Sequence, residues 1–185
     1  MSFESHITIP SCINLNSFKS ILEKLKEQGI IVKDKVIQTW DKKLDLMTSY
    51  QYVNSEIGSV NNFIIISALE DNNIKILRHK IETNNLDHID NNIYIEVHCK
   101  VKEITENSLK LFRYLNKDSL VFYSYSESSK SHIVTFRHFK INNVKDYNIY
   151  IQTIKNIVND YSSLLSVKSE ICIVDTNLRH DEMYL

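Results

Sequence analysis

Glycine and proline are scarce in this chain. Only two glycines and one proline occur among its 185 residues. This shortage excludes Gly-rich linkers, collagen-like segments and the glycine loops that cradle nucleotide phosphates. We therefore expect any ligand to be held by side chains that strands and helices present.

Cysteine and net charge are low as well. The three cysteines, Cys12, Cys99 and Cys172, form no CxxC pair, which argues against a disulfide framework or a structural zinc site. We expect all three to be small buried side chains in a reducing compartment. The formal net charge of −1 argues against a basic nucleic-acid coat, so no nucleic-acid partner is expected.

Long apolar runs are also missing. The most apolar run, 63–66, is far too short to cross a bilayer, and residues 1–6 lack the charged and apolar regions of a signal peptide. We therefore expect a cytoplasmic protein without a membrane partner. The sequence does not indicate an oligomeric state.

The apolar periodicity predicts the element order β-α-β-β-α-β, written twice in about 90 residues each. Polar residues between 83 and 92 mark the internal boundary, so the predicted repeats are 1–88 and 89–185. The expected strands are 6–10, 30–40, 46–53, 74–81, 93–101, 120–126, 132–139 and 169–175. The expected turns are 41–43 and 127–130.

Four helices are expected between these strands. The first is capped by Asn16 or Ser17 and the second, 56–69, by Ser55. The other two are 106–115 and 144–161. In the second helix, we expect the inward side to be Ile57, Val60, Ile64 and Ala68.

This order predicts an α+β protein of two tandem ferredoxin-like repeats, each with an antiparallel sheet. Helices would cover one face of each sheet. The other faces would meet across a groove, which is the predicted site. The compact unit formed by both repeats suits a chain of this length.

Polar side chains occur at alternate positions of the predicted strands, so they share one side of each strand. His6 and His98 stand at equivalent places in the two repeats and are predicted to serve as general acid and base. The groups predicted to bind an anionic or phosphorylated small ligand are Thr8, Thr48, Arg78, Lys80, Glu82, Glu96, Lys100, Thr135 and Arg137. Within this set, Glu82 and Glu96 would orient the others.

Two other interpretations stay open. The same rows suit ordinary solvated strand faces, and the chain would then be a non-catalytic interaction or regulatory module. Metal binding has little support from spacing, because no HxH, HExxH or clustered Asp/Glu pattern occurs. No metal and no cofactor are therefore expected.

Two resemblances add to these expectations. The blocks HITIP, LMTSY, LRHKIE, YIEVHCKV, HIVTFRHF and VDTNL resemble a family of uncharacterised proteins of bacteria and large DNA viruses, for which no reaction is implied. The duplicated architecture also resembles the 2H phosphoesterases, whose two lobes each bring a His-x-Thr/Ser pair to a cleft. His6-Ile7-Thr8 matches this pattern, whereas His98-Cys99-Lys100 and His132-Ile133-Val134-Thr135 depart from it. The resemblance implies a divergent phosphoesterase site or one retained for binding.

Overall fold

The computed structural model describes residues 2–39, 44–126 and 130–178. The predicted turn 41–43 and residues 127–129 of the predicted turn 127–130 lie outside the described residues. Within them, the chain forms eight strands, four α-helices and one 3-10 helix. In chain order these are β1 (Phe3–Pro10), α1 (Leu15–Glu27), β2 (Val32–Thr39), β3 (Leu44–Tyr52), α2 (Ser55–Glu70), β4 (Arg78–Thr83), the 3-10 helix (Leu86–Asn91), β5 (Tyr94–Val101), α3 (Glu106–Leu115), β6 (Ser119–Ser126), β7 (Ser131–His138), α4 (Val144–Tyr161) and β8 (Leu164–Asp175).

All eight strands belong to one antiparallel sheet. Its strand order, β1-β3-β2-β6-β7-β5-β8-β4, closes on itself as a barrel. The predicted α+β class is therefore confirmed. The predicted groove between two sheets is replaced by the interior of one barrel, because β2 pairs with β6 and β4 pairs with β8. These two pairings remove the free edges that separate sheets would have exposed.

The first two helices begin earlier than predicted. Asn14 caps α1, and its side-chain oxygen accepts bonds from the backbone N–H groups of Asn16 and Ser17 at 3.0 and 3.4 Å. Asn54 caps α2 in the same way. An asparagine side chain satisfies the free N–H groups of a first turn as well as serine does, so the pattern alone did not single out the right cap.

The predicted inward side of α2 is correct only in part. Ile64 and Ala68 are partly buried against the apolar core, as predicted. Ile57 and Val60 are 56% and 59% exposed, so the buried side of the helix is turned away from them. The reason is that α2 is apolar around most of its circumference, so its sequence does not single out one face. The residues that α2 buries are Gly58, Asn62, Ile65 and Leu69.

Within the described residues, neither α2 nor any other helix is long and apolar enough to span a membrane.

The two faces of the sheet have opposite character. On the outer face, Ile7 and Ile9 of β1 pack in one cluster with Phe18 and Leu22 of α1. A second cluster joins strands and helices of the later half, for example through the edge-to-face contact of Phe112 with Phe136. Because side chains alternate along a strand, the intervening positions point into the barrel, where most of the charged residues of the strands meet.

The cysteines follow the sheet. Cys99 and Cys172 are buried on β5 and β8, as expected, and all three cysteines are free thiols. Cys12 is exposed, which corrects the expectation that it is buried. It lies in the turn after β1, beyond the part of that strand which the helices cover.

Candidate functional site

Five neighbouring strands, β7, β5, β8, β4 and β1, line one side of the barrel interior with charged groups. We call these groups the inner network. It holds as many carboxylates as permanent cations, together with two imidazoles. The carboxylates are Glu4, Glu82, Glu96, Glu170 and Asp175, the cations are Arg78, Lys80, Lys100, Arg137 and Lys168, and the imidazoles are His6 and His98.

Glu96 is the centre of the inner network. Its Oε1 accepts bonds from Arg137 Nε and Nη2 at 2.9 and 2.6 Å, and its Oε2 lies 2.8 Å from Lys80 Nζ. The side chains of Glu96 and Arg137 are 3% and 0% exposed. Burial would raise the pKa of Glu96, but the charges of Lys80 and Arg137 outweigh it and hold the pKa well below its usual range.

Aromatic rings and a second ion pair surround the buried contacts of Glu96. The Arg137 guanidinium lies 4.2 Å from the ring centre of Tyr94 and 4.9 Å from that of Phe122, a cation–π arrangement that suits a buried guanidinium. Arg78 donates to both oxygens of Asp175, at 3.0 and 2.6 Å. The hydroxyl of Tyr94 also donates to Asp175. Each of these cations therefore has a carboxylate partner.

His98 lies nearer to solvent. Its side chain is 24% exposed, and its Nε2 lies 3.1 Å from Glu170 Oε2 and 3.5 Å from Glu96 Oε2. Its Nδ1 is 2.8 Å from the hydroxyl of Thr135. Burial would lower the pKa of His98, but the bond to Glu170 and the charges of Glu170 and Glu96 outweigh it and raise the pKa.

His6 meets the same carboxylate cluster from the other half of the chain. Its Nε2 lies 3.0 Å from Glu82 Oε2 and 3.8 Å from Glu4 Oε1. Its Nδ1 is buried and has no hydrogen-bond partner among the described residues. A nitrogen of His6 and a nitrogen of His98 each lie within 4.8 Å of a Glu170 oxygen. The structure therefore brings the two predicted histidines to one carboxylate.

Two lysines stand beside His98. Lys168, 60% exposed, is its neighbour on β8, and its Nζ lies 2.6 Å from Glu170 and 3.3 Å from Glu4. Lys100 follows His98 by two positions on β5 and so points to the same side. Among the residues that the structure describes, the side chain of Lys100 has no ion pair and no hydrogen bond.

The two predicted threonines of the first half are separated by the sheet. Thr8 pairs with Arg78 across β1 and β4, so it points into the barrel beside the inner network. Thr48 points to the opposite, helix-covered side, because its β3 neighbour Ser49 is the residue that faces His6. Thr48 is therefore not brought together with the other predicted residues.

Sequence reasoning missed Glu4, Lys168, Glu170 and Tyr94 as members of the site. The signal for Glu4 was its place two residues before His6, outside the predicted strand 6–10. The signal for Glu170 was the alternation Lys168-x-Glu170, which the predicted strand start at 169 cut in two. No comparable signal in the sequence indicated Tyr94, because it stands between Ile93 and Ile95 and so fits an apolar stretch of the strand.

Comparisons with known proteins add little. No protein-family model matches the chain, and no curated protein matches it. Three solved structures are similar over most of their length. They are a "putative chlorite dismutase" (7% identity, 92% of this chain and 94% of the other, TM-score 0.36), a "putative monooxygenase" of Fusobacterium nucleatum (9%, 94% and 93%, 0.35) and a "putative monooxygenase" of Lactobacillus acidophilus (10%, 94% and 95%, 0.30). At these TM-scores the similarity carries no inference about fold or function.

Proposed function

We propose that this protein binds a small anionic ligand, such as a phosphorylated metabolite, at the end of the barrel interior beside His98. The observation that carries the proposal is the placement of Lys100, Lys168 and His98 side by side on the inner face of β5 and β8. Lys100 has no partner of its own among the described residues. A ligand anion supplies the charge-assisted hydrogen bonds that this ammonium group lacks.

The charge balance of the inner network supports an anion at this end and not at its centre. The carboxylates and permanent cations of the inner network are equal in number, and the deep cations Arg78, Lys80 and Arg137 all lie against carboxylates. An anion placed there would have to displace Asp175 or Glu96. Direct contact of these three cations with the ligand, and phosphoester hydrolysis by His6 and His98, stay predictions.

The two halves of the chain carry similar groups at matching places. We infer that they are repeats of one ferredoxin-like unit, with strand orders β2-β3-β1-β4 and β6-β7-β5-β8. In the first, His6 faces Lys80 and Ser49 on neighbouring strands. In the second, His98 faces Lys168 and Thr135. The repeats then present matching His, Lys and hydroxyl groups. Those of the second repeat are nearer to solvent, since His98 and Lys168 are 24% and 60% exposed.

Calorimetric titration with phosphate, pyrophosphate and a sugar phosphate tests the proposal, with the unphosphorylated sugar as the neutral probe. Lys100→Gln should weaken anion binding about 10-fold, the worth of one charge-assisted hydrogen bond. Lys145→Gln, on the exposed side of α4, is the matched control and should bind normally. The proposal fails if no anion binds, or if the two variants bind alike. Phosphate release in the same samples tests hydrolysis.

A protein-interaction module is the second candidate, and the outer side of α2 favours it. Ile57, Val60 and Phe63 are 56%, 59% and 71% exposed, and Val53 just before the helix is 75% exposed. A two-fold interface uses the same patch of both copies, so the partner to test first is a second copy of this chain. Sedimentation of the wild type and of Val60→Asp decides this: a dimer that the variant dissociates supports the module, and a monomeric wild type rejects it.

A further inference from the structure

The inner network also contains nitrogen and oxygen atoms of the kind that bind metal ions. His98 offers a ring nitrogen, and Glu82 and Glu170 each offer a carboxylate oxygen. These three atoms all lie within 4.8 Å of one another. The three residues come from three adjacent strands, β4, β5 and β8. The separation suits donors around one metal ion, since bonds of about 2.0 to 2.2 Å put neighbouring donors well within that distance.

The three side chains are also held in place by neighbours. His98 Nδ1 contacts Thr135 Oγ1 at 2.8 Å, which leaves Nε2 directed at the carboxylates. An oxygen of Glu170 lies 2.6 Å from Lys168 Nζ, and an oxygen of Glu82 lies 2.7 Å from Lys80 Nζ. Outer partners of this kind orient the ligands of metal sites. They distinguish this cluster from acidic groups that are merely near one another.

We propose that Glu82, His98 and Glu170 bind a divalent transition-metal ion of the Zn²⁺, Mn²⁺, Fe²⁺ or Co²⁺ type. One imidazole nitrogen and two carboxylate oxygens, without a thiolate, suit these ions, whereas Mg²⁺ and Ca²⁺ prefer oxygen donors alone. Three protein donors leave a coordination position for water or for an oxygen of a bound anion.

The metal proposal does not rest on the proposed anion site, but the two sites share His98, and metal binding changes the role of that residue. A metal ion uses the Nε2 lone pair of His98, so that imidazole then cannot transfer a proton. Glu4, His6 and Glu170 form a second group of the same size that shares Glu170. The first group is the better candidate, because His6 Nδ1 has no such orienting partner among the described residues.

The test uses the metal-stripped protein, titrated with Zn²⁺ by calorimetry and with Co²⁺ by its visible ligand-field absorption. We expect one ion per chain. Glu170→Gln, Glu82→Gln and His98→Gln should each weaken binding at least about 10-fold, and Thr135→Val by about 10-fold through the loss of its orienting bond. His138→Gln, on the outward side of β7, is the matched control and should bind like the wild type.

Circular dichroism and thermal melting show whether each variant folds, and Thr135→Val keeps the test valid if a ligand variant does not. The metal proposal is overturned if neither ion binds, or if every variant binds like His138→Gln. The assignment to these three residues is overturned if Glu4→Gln abolishes binding while Glu82→Gln does not. Anion titration of the same metal-stripped samples separates the two proposals, because it can succeed where metal binding fails.

Discussion

The outer and inner faces of the barrel are formed by the same strands but are stabilised in different ways. On β5, Val97 and Cys99 point outward and are fully buried among the apolar side chains of the helices. Glu96 and His98, their immediate neighbours, point inward to other charged groups. The outer face gains stability from apolar area removed from water. The inner face gains it only while every charge keeps its partner.

This contrast shows where the molecule tolerates change. An apolar contact on the outer face can be trimmed at a cost that grows with the cavity left behind. A charge on the inner face cannot be removed singly, because its partner then stays buried and uncompensated. The end of the barrel near His98 is the exception, because water and ligands can reach it. The predictions below test this contrast, from the largest expected effect to the smallest.

Glu96→Gln should have the largest effect on folding. It removes a buried negative charge that contacts both Arg137 and Lys80, so we expect a loss of about 3–5 kcal/mol in the free energy of unfolding. Urea denaturation of metal-stripped protein measures it. Glu106→Gln, in an exposed helix pair with Lys110, is the control and should unfold like the wild type. Equal stability of Glu96→Gln and the control would show that the centre of the inner network is not critical.

Two isoleucines of α2 compare the two sides of one helix. Ile65→Ala should cost about 2–5 kcal/mol, because Ile65 is fully buried in the outer core. Ile57→Ala should change stability by less than about 0.5 kcal/mol, since Ile57 is exposed. The same urea experiment measures both. A larger loss of stability in Ile57→Ala than in Ile65→Ala would mean that α2 turns Ile57 towards the core, as the sequence predicted.

Gly58→Ala should have an intermediate effect. A Cβ at this position would lie 2.2 Å from two ring carbons of Tyr52, so the ring or the helix must move, at a cost of about 1–3 kcal/mol. Alanine otherwise favours a helix by about 1 kcal/mol over glycine. The thermal melting point should therefore fall in Gly58→Ala, whereas the same substitution made in a Tyr52→Ala variant should not lower the melting point of that variant. A rise in the single variant would contradict this packing.

The smallest expected effect is a change in pH dependence at Asp175. Burial would raise the pKa of Asp175, but its bonds and ion pair with Arg78, with help from Tyr94, hold the pKa below its usual range. The folded state therefore has the lower pKa. Its contribution to stability is complete above the unfolded pKa of about 3.9 and is lost as the pH falls through the folded value.

Urea denaturation from about pH 6 to about pH 3 measures this contribution. In Asp175→Asn, the loss of stability below about pH 4 should be less steep than in the wild type. Asp160→Asn, on the exposed end of α4, should keep the wild-type slope. Parallel curves for the wild type and Asp175→Asn would mean that Arg78 does not hold this carboxylate ionised.

Much of the fold could be predicted from local signals. The bounds of α3 and α4 agree with the prediction because their apolar residues recur at helical spacing on one side. The alternation around His6, Arg78 and His98 placed each on the polar side of its strand. Strand ends were less certain. For example, β8 begins at Leu164, five residues before the predicted 169, because the adjacent Leu164 and Leu165 break the alternation that indicates a strand. That error concealed the Lys168-x-Glu170 pair.

By itself, the sequence determined the α+β class, the order of elements and the period-two rows of charge, since these depend on local periodicity. Only the tertiary structure decided that the sheet closes, because edge pairing joins segments far apart in the chain. Closure in turn decided which charges meet. Glu82, His98 and Glu170 have no metal-ligand spacing in the sequence, and they come together only because β4, β8 and β5 are neighbours in the barrel.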